Sequence, residues 1–310
     1  MVLTMSADTT LILTLGGLVS GVLAGFLGIG GGTVLVPLMV AVGFTSQQAV
    51  GTSSLAILVT ALSGSVQNWR MGYLSLQRVI LLGLPAIVTA QIGAFAAGRM
   101  AEHVQLAAFG ILLVSNVYLA GLRKQVTAQQ RLKEAELDSP PASGDPMTRD
   151  DQTSGDRLKA TAETNGSVHS QSAKSLSQVP SPGLNPVVAR VFTGGTAGLL
   201  AGLFGVGGGV IMVPLQILLL GEKIKTAVQT SLGVIVITAI SASIGHALAN
   251  NVVFSSGLIL GAGGLVGVQI STRFLPKLSD RLVSFLFRTM LAVLSVYIFW
   301  QAWQSYSAQV

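Results

Sequence analysis

The sequence predicts an all-α, polytopic integral membrane protein made of two homologous halves joined by a polar linker. Three observations carry the prediction: long charge-free apolar runs, an internal repeat, and a sharp change of composition between the two copies. Half of the 310 residues are hydrophobic and 10% are charged, against roughly 25% in a soluble globular domain, and the mean hydropathy is +0.68. No Asp, Glu, Lys, Arg or His occurs in 11–69, 191–221 or 289–310, whereas about 18 apolar residues already suggest one membrane span.

Breaks at Gly, Pro or charge divide the first half into segments at about 10–27, 33–43, 47–68, 74–98 and 103–122. The second half gives about 187–204, 210–221, 225–249, 255–275 and 280–304, so 8–10 helices in all are expected. The first segment follows Asp8 with no basic residue before it, which is not the flank of a signal peptide, so it reads as a retained helix. The second segment of each half reaches only about 17 Å, little more than half the roughly 30 Å hydrocarbon core. Either it and its predecessor each cross, or the two fold back as a re-entrant pair.

Between the halves, residues 125–186 are rich in Ser, Thr, Asp, Gln and Pro and contain no Phe, Trp or Tyr. Such a stretch buries no core and reads as a disordered linker with room for a short helix around 129–137. The expected organisation is therefore 1–124, a first membrane repeat; 125–186, a linker; and 187–310, a second membrane repeat. The linker holds six basic and eight acidic residues, which leaves a net +8 on the rest of a chain whose total is +6. Those basic residues flank apolar runs instead of forming a patch, the pattern of topology control and not of nucleic-acid binding.

The repeat is the most informative feature. Gly17 to Leu38 aligns without gaps to Gly194 to Leu215, with 12 of 22 positions identical. One residue of slip later, Ala49-Val50-Gly51-Thr52-Ser53 meets Ala227-Val228-Gln229-Thr230-Ser231, and in that register Asn68 falls opposite His246 and Gln91 opposite Gln269. An odd number of crossings per half would invert one copy relative to the other. With the N-terminus outside, Arg70, Arg78, Arg123, Lys124, Arg190, Lys223, Lys225, Arg273, Lys277, Arg281 and Arg288 lie on the cytoplasmic side and Arg99 alone lies outside. The positive-inside rule then places the linker in the cytoplasm and both termini outside a bacterial-type plasma membrane.

Candidate functional residues begin with Gly28-Ile29-Gly30-Gly31-Gly32 and Gly205-Val206-Gly207-Gly208-Gly209. Non-helical backbone at membrane depth is tolerated only where protein or a water-filled cavity satisfies it. Pro37 and Pro214 follow, and proline suits the first residue of a new helix. The runs therefore predict broken helices, with free N–H groups and a positive helix end aimed inward, which favours an anion. Glycines that only let helices approach closely are the other reading, and both uses stay open for different glycines. The expected binding set is Gly30, Gly31, Gly32, Thr52, Ser53, Asn68, Gln91, Gly207, Gly208, Gly209, Thr230, Ser231, His246 and Gln269, since hydroxyls and amides hold an oxyanion without burying a charge. For each Ser or Thr, a bond to its own helix backbone is the plain alternative.

Several classes are excluded. Without cysteine there is no disulfide, thiolate metal site or cysteine nucleophile. His103, His169 and His246 stand at no metal-ligand spacing, so neither metal nor other cofactor is expected, nor a catalytic residue. The glycine runs fail the dinucleotide fingerprint at Thr33 and Val210, and no Gly-Lys-Ser/Thr follows. The acidic residues outside the linker, Asp8, Glu102, Glu222 and Asp280, sit at expected loop ends, which counts against cation transport and leaves His246 as the one side chain within a span able to relay a proton.

The pattern GxGGG, then VPL, then AVxTS, occurring twice around a central loop, resembles the TauE/SafE sulfite-exporter family, also called the toluenesulfonate-uptake permease group. The resemblance covers both membrane halves and omits the linker, which is longer than the family pattern. It implies a plasma-membrane carrier for small sulfur-containing anions such as sulfite, thiosulfate or an organosulfonate, with a binding region on Gly30 to Gly32, Gly207 to Gly209, Thr52/Ser53 and Thr230/Ser231. An anion channel, or a membrane scaffold acting through its linker, would use the same sequence features. The partners expected are a small anion and the lipid bilayer, with homo-oligomerisation left open.

Overall fold

The computed structural model describes residues 7–101, 103–115 and 185–307, and these are helical with no strand among them. Glu102, His169 and nearly all of the linker with its expected short helix lie outside the described residues. The helices are α1 (Ala7–Leu27), α2 (Gly32–Ala41), α3 (Ser46–Arg70), α4 (Leu76–Ala97), α5 (His103–Ser115), α6 (Pro186–Phe204), α7 (Gly209–Leu220), α8 (Ile224–Leu248), α9 (Phe254–Phe274) and α10 (Asp280–Ser307). Seven of them are long and apolar enough to cross a membrane, while α2, α7 and the described part of α5 are shorter.

Local chemistry explains the boundaries. Thr45 and Gln48 form a reciprocal capping box at the start of α3. Asn185 caps α6 and Pro186 opens it, where a missing N–H costs nothing. Glycines in the left-handed conformation, Gly205 and Gly221, end α6 and α7. The short helices depart from expectation in one respect. Helix begins at Gly32 and Gly209, so Pro37 and Pro214 lie inside α2 and α7 instead of opening them. The glycines need little help to enter a helix once the left-handed Gly31 and Gly208 have turned the chain, and each proline interrupts only one backbone bond of the second turn.

Two contacts orient the first short helix. Ser20 Oγ donates to the carbonyl of Gly31 at 3.0 Å, and a Cβ on Gly16 would collide with the side chain of Leu38. α2 therefore runs back antiparallel along α1. A Cβ on Gly208 would likewise meet the Ala197 carbonyl, which sets α7 back along α6.

Helix packing relies on small residues. α1 lies against α9 and α6 against α4, so the first helix of each half is clasped by the fourth helix of the other. A Cβ on Gly21 would strike the carbonyl of Gly264, and one on Gly198 that of Ala86, positions that match in the repeat register. With no hydrophobic drive between helices in lipid, this backbone approach is the main source of association. α3 and α8 form the centre, and more than half of each is buried. At one end of the bundle Arg78 Nη1 pairs with Glu222 Oε1 at 3.7 Å, and Lys225 Nζ donates to the Pro276 carbonyl at 3.1 Å. At the other end Gln105 accepts from Ser46 and donates to the Leu203 carbonyl, joining α3, α5 and α6.

Candidate functional site

The two glycine loops meet at the middle of α3 and α8. A Cβ on Gly30 would lie 3.1 Å from Ile57 and 3.3 Å from Ile235, and one on Gly207 would lie 3.0 Å from Ile235 and 3.1 Å from Ile57. Ile57 and Ile235 each lie one residue from the midpoint of their helix, so the loops sit about half-way along α3 and α8. Gly32 and Gly209 allow the loops themselves to touch, since a Cβ on either would strike the Gly205 or Gly28 carbonyl.

Two serines hold this crossing. Ser231 Oγ donates to the Gly28 carbonyl at 2.7 Å, and Ser53 Oγ donates to the Gly205 carbonyl at 2.9 Å. Each serine therefore belongs to one half and fastens the loop of the other. Their own-helix carbonyls, Val228 and Val50, compete for the same protons at 2.8 Å and 3.0 Å.

The donors left over are on the backbone. Gly31 caps α2 at φ 81° and Gly208 caps α7 at φ 75°, neither with a side-chain acceptor. The N–H groups of Gly30, Gly31, Gly32, Gly207, Gly208 and Gly209 meet no hydrogen-bond acceptor among the described residues, although all six glycines are buried. Buried N–H groups are almost always paired with protein, water or ligand. Thr33 Oγ1, in the first turn of α2, is fully buried and also lacks a partner there. Two helix N-termini thus present convergent positive ends at mid-bundle, a preformed place for negative charge.

The remaining candidates do not all gather here. Thr230 is buried on α8 beside Ser231. Thr52 Oγ1 accepts from the Val253 N–H at 3.0 Å, which fastens α3 to the start of α9. Gln91 donates to the Ser241 carbonyl at 2.6 Å and Gln269 to Ser63 Oγ at 2.8 Å, so both bolt neighbouring helices together. Asn68 and His246 lie toward opposite ends of the bundle, with His246 Nε2 2.8 Å from the Gly202 carbonyl. Sequence reasoning missed Ser65, Ser243 and Gln216, all buried with unpartnered side-chain atoms, as well as Thr33. Ser65 and Ser243 stand in the repeat register that picks out Asn68 and His246, so that alignment could have found them. Gln216 and Thr33 fall opposite Met39 and Val210, where no symmetry points to them.

Glu222, on the α7–α8 turn, is more enclosed than a loop-end carboxylate, its side chain 15% exposed. Burial pushes its carboxyl above the usual carboxylate range, against the opposing pull of Arg78 and Arg190.

A bundle of apolar helices broken at its middle by paired glycine loops matches one known family over residues 13–298, described as sulfite exporter TauE/SafE. The chain belongs to that family. It is similar to the probable membrane transporter protein YunE of Bacillus subtilis (strain 168), 24% identical over 302 residues that cover 94% of this chain and 97% of the relative. A probable membrane transporter protein of Xylella fastidiosa is also 24% identical over 302 residues, covering 96% and 97%. Another from Haemophilus influenzae is 32% identical over 116 residues, 35% of this chain and 44% of the relative. No solved structure matches. This TauE/SafE protein is a multi-pass membrane transporter and not an enzyme.

Proposed function

We propose that this TauE/SafE protein is a secondary carrier that moves a small sulfur-containing oxyanion, such as sulfite or an organosulfonate, across the plasma membrane by alternating access. The observation that carries the reading is the set of buried, acceptor-free N–H groups at the two glycine loops. They concentrate partial positive charge at mid-bundle without a buried lysine or arginine, which suits an ion that must also be released. The reciprocal contacts between halves support inverted repeats that rock about this point. In the bound state the anion lies against the first turns of α2 and α7, where the Thr33 hydroxyl is free to donate to it, while the Ser53 and Ser231 hydroxyls stay committed to the Gly205 and Gly28 carbonyls. The N-terminus is placed outside and the linker in the cytoplasm, because that arrangement puts the basic residues inside.

Thermal stability of the purified protein against sulfite, thiosulfate, sulfoacetate, sulfate, chloride and small cations tests the reading. A ligand at about 100 times its Kd adds about 2.7 kcal/mol of stability. Stabilisation by one sulfur oxyanion is the expected result; stabilisation by a cation alone would overturn it.

A further inference from the structure

Four side chains outside the glycine loops share one anomaly. Ser65 and Asn68 stand one turn apart near the end of α3, and Ser243 and His246 occupy the matching positions of α8. All are at least nine-tenths buried, Asn68 and His246 completely. Ser65 Oγ, both amide atoms of Asn68, Ser243 Oγ and His246 Nδ1 have no hydrogen-bond partner among the described residues. Neighbouring buried hydroxyls behave differently: Ser54, Thr60, Thr238 and Thr272 all close on a backbone carbonyl. Buried polar groups are rarely left unpaired because that is costly. Recurrence at equivalent positions of both halves makes the anomaly a property of the repeat and not a local accident.

The two pairs lie on opposite sides of the glycine loops. Asn68 is 11 residues beyond Ile57 along α3 and His246 is 11 beyond Ile235 along α8, about 16 Å in each case. α3 and α8 run antiparallel, since Ile57 and Ile235 share Gly30 while a Cβ on Gly51 would lie 3.1 Å from the Cβ of His246.

Their chemistry is specific. The Gly202 carbonyl can only accept, so His246 Nε2 carries a hydrogen and Nδ1 of the neutral ring is an acceptor. This pair therefore offers one donor, Ser243 Oγ, and one acceptor. The Asn68 pair offers the amide N–H groups and Ser65 Oγ as donors and Oδ1 as acceptor. No Asp, Glu, Lys or Arg belongs to the buried polar set among the described residues, in which His246 is the titratable group.

We infer that Ser65–Asn68 and Ser243–His246 are two binding stations, one on each side of the glycine loops, for a small oxyanion that carries one proton. The anion's hydroxyl donates to Asn68 Oδ1 or His246 Nδ1, and its bare oxygens accept from the serine and, at Asn68, from the amide. A fully deprotonated oxyanion would leave the acceptor at each station unmatched. The assignment rests on the anion-carrier reading and adds the protonation state of the carried ion.

The test uses the purified full-length protein and two double variants, Ser65→Ala/Asn68→Leu and Ser243→Ala/His246→Gln; glutamine retains a donor toward Gly202. Sulfite near neutral pH, where part of it is protonated, is compared with methanesulfonate, which has no proton to donate. Ser65→Ala/Asn68→Leu is expected to be at least as heat-stable as wild type without ligand, because its unpaired buried atoms have been removed, and both double variants are expected to lose about tenfold or more in sulfite affinity. Methanesulfonate affinity should change less. Unchanged sulfite affinity in both variants, with wild type still binding, means the pairs hold only water and overturns the inference while the carrier reading stands. A wild-type protein that binds neither anion overturns both. Should a double variant fail to fold, the single variants Ser65→Ala and Ser243→Ala are judged by the same sulfite criterion.

Discussion

Replacing Ser231 with alanine removes the hydroxyl that crosses from α8 to the Gly28 carbonyl, and the structure fixes what that should cost. The bond is 2.7 Å long and Ser231 is fully buried, so the Gly28 carbonyl is left without a donor. A buried acceptor stranded in this way costs about 1–3 kcal/mol, which for a protein of this size lowers Tm by about 1.5–2 °C per kcal/mol. Ser53→Ala should act alike through the Gly205 carbonyl. Ser54→Ala is the internal control: its hydroxyl is equally buried but bonds only Val50 of its own helix, at 2.9 Å, so the loss should stay within about 0.5 kcal/mol. Because the two loops touch, the Ser53/Ser231 double variant should depart from additivity. Thermal unfolding in detergent, read beside flux in proteoliposomes, checks all four. If Ser53→Ala and Ser231→Ala match Ser54→Ala in stability and transport, the serines do not hold the loops and the reasoning fails.

Gly208→Ala places a Cβ at φ 75° against the Ala197 carbonyl, and the left-handed strain alone is worth about 1–2 kcal/mol; a lowered Tm is the expected reading. Glu222 has a folded pKa raised by burial, so the folded state disfavours its charged form: stability is fullest below the ordinary carboxylate pKa and falls as pH rises through the raised value. The Tm difference between wild type and Glu222→Gln should therefore shift in favour of wild type as pH falls from neutral, and a pH-independent difference counts against it. Deleting residues 127–183 should leave sulfite-dependent stabilisation intact, and its loss would make the linker part of the carrier. A cysteine at Ser143 should resist an impermeant thiol reagent added outside intact cells; labelling would reverse the orientation.

Much of this fold was legible in the sequence because lipid simplifies the problem. Charge-free runs had to be helices, and their ends fell near the observed ones, since Gly, Pro and capping residues act locally. The site was legible only in part. Three consecutive glycines signalled broken backbone, and repetition directed attention to Ser53 and Ser231. The alignment could not show that these serines reach across to the opposite loop, because that depends on tertiary placement. Asn68 and His246, matched in sequence, stand on opposite sides of the loops, as inversion of one copy requires, since matched residues of antiparallel helices diverge from the centre. Gln91 and Gln269, expected among the anion ligands, each donate across to a neighbouring helix, contacts that depend on the tertiary neighbours Ser241 and Ser63 and that the sequence could not show.

The central claim is that the paired glycine loops carry an anion through a carrier cycle. Sulfite counterflow in proteoliposomes, comparing wild type with Gly31→Leu and Gly208→Leu, tests it most directly. Saturable uptake stimulated by sulfite on the far side, abolished in both variants while they still insert into the membrane, is the predicted result. Normal counterflow in both leucine variants, or a non-saturating flux that ignores the far side, would contradict it.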